Sequence, residues 1–419
     1  MAALLFISFI VLLLIGVPVA FAIAAAALLV LLKGDVKLLI LVQRMFASTD
    51  SFSLIAVPFF IFAGDLLAKG KVSKVLVEFA ESLLGMLKGG LSIVSVLAGM
   101  FFAAISGSGA ATTAAVGATL IPELKKRGYR EDSAAALIAA AGTIGVVIPP
   151  SVPMVLYAVI SEDSVNTLFR NGFIPGALMG VILVAISLYQ ARKFNYPKGK
   201  PFSVGNVLRT FKEAIWGILM PLIILGGIFS GYFTPSEAAA VAVIYAIFVS
   251  FFIYRDLDFK GLVEIMKGSA KTSAVIMIII ACSGPFGWVL ANYKIPEAIA
   301  SGGVGISTNK YVVMFLISLI ILLAGVFMET SSAIIILSPV FLPLVKAMGI
   351  STVHFGILFV VGIAIGMITP PVAINLFVAS GITGLPIERI SKSVIPYLIG
   401  LIIVFFMIVY VPLLIPGLM

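Results

Sequence analysis

The chain has 419 residues, 62% hydrophobic and 11% charged, with a mean hydropathy of +1.24. A soluble domain carries about a quarter of its residues charged, so most of this surface faces something other than water, and no stretch is long enough for a separate soluble domain. The net charge of +9 lies in short loops between apolar runs, which argues against a nucleic-acid partner. Cys282 is the only cysteine and His354 the only histidine, which leaves no intramolecular disulfide, no Cys/His metal cluster and no ground for a histidine-based catalytic centre.

A membrane-spanning helix takes about 20 apolar residues, and runs of that kind recur along the chain. The first, 3–32, lacks the basic leader of a signal peptide and far exceeds its roughly 7–15-residue apolar core. It reads as one retained span. A second run covers 53–68, with Asp65 expected to be solvated at its inner end. The segment 72–88 (VSKVLVEFAESLLGMLK) reads as an amphipathic helix along the inner interface or as a solvated loop helix. Residues 91–122 are too long for one span and are broken by Ser106-Gly107-Ser108-Gly109. They read as a re-entrant hairpin. The run 134–160 is interrupted at GTIGVVIPPS (142–151), and 172–191, 214–233, 236–254 and 272–291 follow as plain spans. Glu237, in TPSEAAA, reads as an acid on the positive end of a helix that starts behind Thr234 and Pro235. A second overlong run, 311–345, is broken at Glu329-Thr330-Ser331-Ser332. The run 354–380 is interrupted at GMITPP (366–371), and 394–416 is the last span.

With both overlong runs re-entrant and the other nine taken as full spans, the basic residues separate. Of the 27 Lys and Arg, 20 fall in 69–90, 123–130, 192–212, 254–271 and 383–392, and 7 fall in the loops of the other side. The basic side is expected to be cytoplasmic, which puts the N-terminus inside and the C-terminus outside.

The two halves, 1–210 and 211–419, match at a spacing of 221 residues. Pro122 pairs with Pro343, Gly128 with Gly349, Gly145 with Gly366, and Pro149-Pro150 with Pro370-Pro371, and the tips superpose Ser108 on Glu329. With opposite orientations across the membrane, this is the pattern of an all-α polytopic protein built on inverted repeats. Secondary transporters are built this way, with substrate and coupling ions near the midplane.

Each Pro-Pro removes two backbone donors and disfavours helix before it, freeing carbonyls that need partners inside a membrane. Sodium, a hard cation, accepts carbonyls together with Ser and Thr hydroxyls. Two sodium sites are therefore expected, one from Ser106, Ser108 and Gly109 with Gly145, the other from Thr330 and Ser331 with Gly366 and Thr369. The helix starts behind the tips offer free N–H groups to a substrate carboxylate. Thr112, Pro150, Ser151 and Asn375 are further candidate contacts, with a bond to their own helix carbonyls as the plainer reading of Thr112 and Ser151, and packing between helices as that of Asn375. Glu329, an acid at membrane depth, costs about 2.5–3.5 kcal/mol on insertion scales. It is expected to meet an ion, a water-filled cavity or the substrate, to relay a proton, or to cap an exposed tip.

SGSGAATTAAVGATLIPELKKRGY (106–129), TIGVVIPPSVPMVLYAV (143–159), TPSEAAAVAVIYAIF (234–248) and GMITPPVAINLFVASGI (366–382) together resemble the large membrane subunit of tripartite ATP-independent periplasmic (TRAP) transporters. The resemblance runs in order along essentially the whole chain. It implies a sodium-driven, elevator-type importer of four-carbon dicarboxylates, sialic acid or other organic anions, within the ion transporter superfamily. It also implies a bacterial inner-membrane location and two partners, a small four-helix membrane subunit and a periplasmic binding protein. The tip METSS (328–332) departs from the acidic-plus-proline version of many dicarboxylate carriers, which leaves sialic acid or another monocarboxylate open. A proton-coupled antiporter or exporter with Glu329 titrating is the alternative. No HExxH or GxSxG context points to a hydrolase, and the chain reads as a carrier rather than an enzyme.

Overall fold

The computed structural model describes residues 1–198, 201–295 and 309–414. Its first apolar run departs from the expected single span. It forms two helices, α1 (Ala2–Leu14) and α2 (Val19–Lys33), parted where Gly16 takes a φ of 88° and Pro18 supplies no N–H. Phe6 and Phe9 meet the edge of Phe286, while a Cβ on Gly34 would run into the Tyr293 hydroxyl. Phe286 and Tyr293 lie about 10 Å apart at the end of one helix, Phe259–Asn292. A straight span would put Phe6 about 40 Å from Gly34. The run is therefore a hairpin, and Met1 returns to the side of residues 33–50.

That stretch contains α3 (Leu39–Thr49), which buries no residue fully. A single 3-10 turn leads into α4 (Ala56–Lys69). Next comes α5 (Val72–Leu84), whose Val72, Val75, Leu76 and Phe79 are buried at helical spacing while Lys74 and Glu78 stay outside. Its apolar face packs on α6 (Gly90–Ser106) and α11 (Val204–Phe229).

Both overlong runs break where the short polar residues stand. Gly107, at φ 60°, ends α6, and the Ser108 side chain caps α7 (Gly109–Lys126). In the second half α14 (Lys310–Phe327) ends in extended backbone at Met328, and Glu329 caps α15 (Thr330–Ala347). The doublet-proline runs break as well. The first gives α8 (Glu131–Thr143), a 3-10 turn at Ile144–Val146, and α9 (Val152–Ser161); the second gives α16 (Thr352–Gly366) and α17 (Ile374–Thr383). The long helices α10 (Val165–Lys193) and α18 (Ile387–Leu414) close the two series. α15 repeats the bounds of α7 at a spacing of 221 residues at both ends.

The most enclosed elements are the first halves of the broken helices. Every residue of α8 from Asp132 and of α16 from His354 is buried, as expected of helices with neighbours on all sides. The helices α10, α11, α12 (Pro235–Phe248) and α18 present the apolar Val181, Leu222, Ile244 and Ile403 outward. Each half reaches into the other, since α9 packs on α15 and α17 packs on α7 and α8. Small residues permit the close crossings. A Cβ on Gly64 of α4 would sit 3.1 Å from Ser106 Cα, and one on Gly99 of α6 would sit 3.0 Å from the Ala141 Cβ.

Helix α13 (Phe259–Asn292) has 34 residues, about 51 Å, against a hydrocarbon core of about 30 Å. Residues 259–271, expected as loop from their lysines, are its first turns, and 204–212 likewise open α11. Eight helices among the described residues are long and apolar enough to cross a bilayer. The chain is an all-α polytopic membrane protein.

Candidate functional site

The two hairpin tips meet at one cavity of about 490 Å³. Ser106 to Ala111 come from the first tip, Glu329 and Ser331 from the second, Asp65 from α4, and Lys271 and Thr272 from α13. Five of the expected site residues, Ser106, Ser108, Gly109, Glu329 and Ser331, line it directly.

At the first tip three oxygens converge. Ser106 Oγ lies 2.8 Å from Thr112 Oγ1 and donates to the Ser108 carbonyl at 3.2 Å, and Thr112 Oγ1 donates to the same carbonyl at 2.8 Å. Gly145, in the break of the first doublet-proline run, faces this group. A Cβ there would stand 2.5 Å from Thr112 Oγ1 and 2.7 Å from the Ser108 carbonyl. Any side chain there would collide with these oxygens and the Ser108 backbone. Thr112, expected among the substrate contacts, lies beside Ser106 and Ser108, two of the residues expected to hold sodium. Gly109 packs on the Gly142 carbonyl and the Met367 side chain, tying the first tip to the second break.

The second tip is organised around a charge. Glu329 accepts hydrogen bonds from the N–H groups of Ser331 at 2.9 Å and Ser332 at 3.2 Å, and from Ser331 Oγ at 3.2 Å. Its carboxylate already occupies the start of α15, so that helix end is not open to a substrate carboxylate. Thr330 Oγ1 lies 3.5 Å from Met367 Sδ. Gly366 presses against the backbone of Gly325 in α14, a contact partner that sequence reasoning missed. Thr369 donates its hydroxyl to the Ile365 carbonyl at 2.9 Å.

Three expected substrate contacts lie behind the cavity wall. Ser151, fully buried, donates to the Val146 carbonyl at 2.5 Å and accepts from the Met154 N–H at 3.3 Å, capping α9. The Pro150 carbonyl abuts Gly107. Asn375, also fully buried, donates to the Ala139 carbonyl at 3.1 Å, and its Oδ1 has no partner among the described residues. Glu237 forms the expected capping box with Thr234.

Two cavity residues were not anticipated. Asp65, expected to be merely solvated, accepts a 2.6 Å hydrogen bond from Ser269 Oγ of α13. Lys271 was counted as loop; the signal for it was the polar ramp Ser269, Lys271, Thr272, Ser273 leading into an apolar run.

Residues 6–414 match the family model described as the tripartite ATP-independent periplasmic transporter, DctM component. The isethionate TRAP transporter permease protein DctMQ of Oleidesulfovibrio alaskensis is 40% identical over 96% of this chain, which spans 63% of that relative's length. The C4-dicarboxylate TRAP transporter large permease protein DctM of Pseudomonas aeruginosa is 39% identical over 93% of this chain and 91% of its own. Among solved structures, the YdaH transporter of Alcanivorax borkumensis superposes with a TM-score of 0.63 at 15% identity, covering 89% of this chain and 87% of the other. At that identity the likeness concerns the fold.

Proposed function

This chain belongs to the DctM component family of the tripartite ATP-independent periplasmic transporters, and from that membership we propose that it is the membrane-embedded subunit of a sodium-coupled importer of an organic carboxylate. It works with a small four-helix membrane subunit and takes its cargo from a periplasmic binding protein. The cargo is sialic acid, a four-carbon dicarboxylate or a related organic acid. The halves 1–210 and 211–419 act as inverted repeats, and the two hairpins move together, elevator-fashion, past the remaining helices.

The observation that carries this reading is the convergence of both tips on one cavity, with broken helices behind them. Ser106, Ser108 and Thr112 supply hard oxygens for one sodium ion, with Gly145 packed closely against them. Gly109, beside them, keeps that tip close to the second break. The second ion is assigned to Thr330, Ser331, Gly366 and Thr369. When bound, sodium supplies positive charge beside an acidic cargo. A monoanion moving inward against a negative interior is opposed by about 2.3 kcal/mol per 100 mV, and two sodium ions moving with it reverse the sign.

The basic loops face the cytoplasm of a bacterial inner membrane. Because α1 and α2 form a hairpin, Met1 lies on the periplasmic side with residues 33–50 and with the C-terminus, rather than inside. A reporter fused to Met1 that is active only in the periplasm checks this.

The coupling is tested with the complete complex in proteoliposomes, imposing sodium and proton gradients separately. Uptake that follows the sodium gradient alone is expected. Uptake that survives without sodium and collapses with the proton gradient would replace this reading with the proton-coupled one.

A further inference from the structure

The charged groups around the cavity are not equivalent. Glu329 is engaged by two backbone N–H groups and a hydroxyl of its own helix start. Asp65 is engaged by Ser269 Oγ. Lys271 lines the same cavity, yet among the described residues its ammonium has no ion-pair or hydrogen-bond partner. It sits twelve residues into α13, about 18 Å from that helix's first residue, on the helix that also supplies Thr272, Val275 and Ile276 to the wall. An ammonium at such a position is retained where it meets water or an anion rather than lipid.

The tips add a direction. The start of α7 is capped only by the neutral Ser108 hydroxyl, at 3.4 Å from the Ala111 N–H, so its positive dipole end is not neutralised by a side-chain charge. The start of α15 is neutralised by its own carboxylate. An acidic cargo in this cavity is therefore attracted by Lys271 and the first tip, and finds the start of α15 already occupied by Glu329.

We infer that Lys271 is the residue that pairs with the acidic group of the cargo, opposite the Ser108-capped start of α7, and that it gives this cavity its preference for anions. This rests on the carrier reading above and adds to it the side chain that selects the charge. The required ligand chemistry is a carboxylate or sulfonate carried on a small polar body. An ammonium accepts either, as a point charge with three donors, whereas Glu329 and Asp65 disfavour a second acid placed near them.

The test is thermal melting of the purified full chain in sodium chloride or choline chloride, titrated with succinate, isethionate or N-acetylneuraminate. The expected result is that Lys271→Gln keeps the sodium-dependent rise in melting temperature. Its half-saturating concentration for the stabilising anion should increase roughly tenfold or more, the weight of a charge-assisted hydrogen bond. Lys271→Arg should stay within about threefold of the parent, since the charge remains. Unchanged anion binding by Lys271→Gln in sodium overturns the inference while leaving the carrier reading intact. A parent chain stabilised by none of the three anions in sodium removes the carrier reading for these cargoes, and the inference with it.

Discussion

The two hairpins repeat one another in their bounds and differ in their chemistry. In the first, Ser106, Thr112 and the Ser108 carbonyl gather opposite a glycine, and every group is neutral. In the second, the matching glycine is pressed against the Gly325 backbone of α14, and the tip is held by a carboxylate. Matching helix bounds thus yield one tip where neutral oxygens gather against a glycine and one whose helix start is held by an acidic side chain. The helix bounds agree at the two breaks; the side chains at each break differ in what they present.

The sharpest way to break the comparison is to add one methyl group to each glycine. Gly145→Ala places a Cβ among the oxygens of the first tip. Sodium-driven uptake should fall to background, and because the new Cβ also meets the Ser108 backbone, stability in choline chloride should fall as well, by about 1–3 kcal/mol. Gly366→Ala meets the Gly325 backbone, and should lose about 1–3 kcal/mol of stability with or without sodium, as overpacked sites do. If Gly145→Ala kept the sodium-dependent rise in melting temperature, the first tip would not hold the ion.

The caps come next. Glu329→Ala removes an acceptor from two N–H groups and should cost about 1 kcal/mol. Ser108→Gly, which loosens a longer bond at 3.4 Å, should cost only a few tenths. Melting temperatures in choline chloride measure both without involving the ion.

The smallest expected effect separates the starts of the two broken helices. Asp132 begins α8 and accepts from Arg130 at 2.7 Å and from Ser393 at 3.0 Å, whereas the start of α16 is capped by the neutral Ser351. Burial alone would raise the Asp132 carboxyl; the hydrogen bonds of Arg130 and Ser393 outweigh it and hold it below its ordinary value of 3.8. The stabilisation is thus complete above that value and fades as the pH falls through the lower folded-state value. Asp132→Asn should cost about 0.5–1 kcal/mol at neutral pH, because Arg130 is itself half exposed. The difference from the parent should shrink in that acid window, read by melting scans at descending pH.

Much of the site's framework is legible in the residue order, because breaks are written in local chemistry. Gly107, Ser108, Glu329 and the two Pro-Pro pairs each act on their own backbone, so where they interrupt the helices follows without tertiary information. The capping box at Thr234 and Glu237 is local in the same way. The first run was misread because an apolar stretch carries no mark of direction: Gly16 and Pro18 are modest turn signals within some thirty residues that suit lipid either way. The lysines of α13 were misread because a basic residue suits a loop and an overlong helix equally well.

The sequence by itself determined that the chain lives in a membrane, where its helices are interrupted and which hard oxygens stand at the interruptions. These depend on composition and on contacts within a turn or two. Only the tertiary structure decided that Thr112 turns toward Ser106, that Gly366 meets Gly325, and that Lys271 and Asp65 reach the same cavity as the tips. Those pairings join residues tens to hundreds of positions apart, or depend on which way a side chain turns. Packing fixes them; periodicity does not.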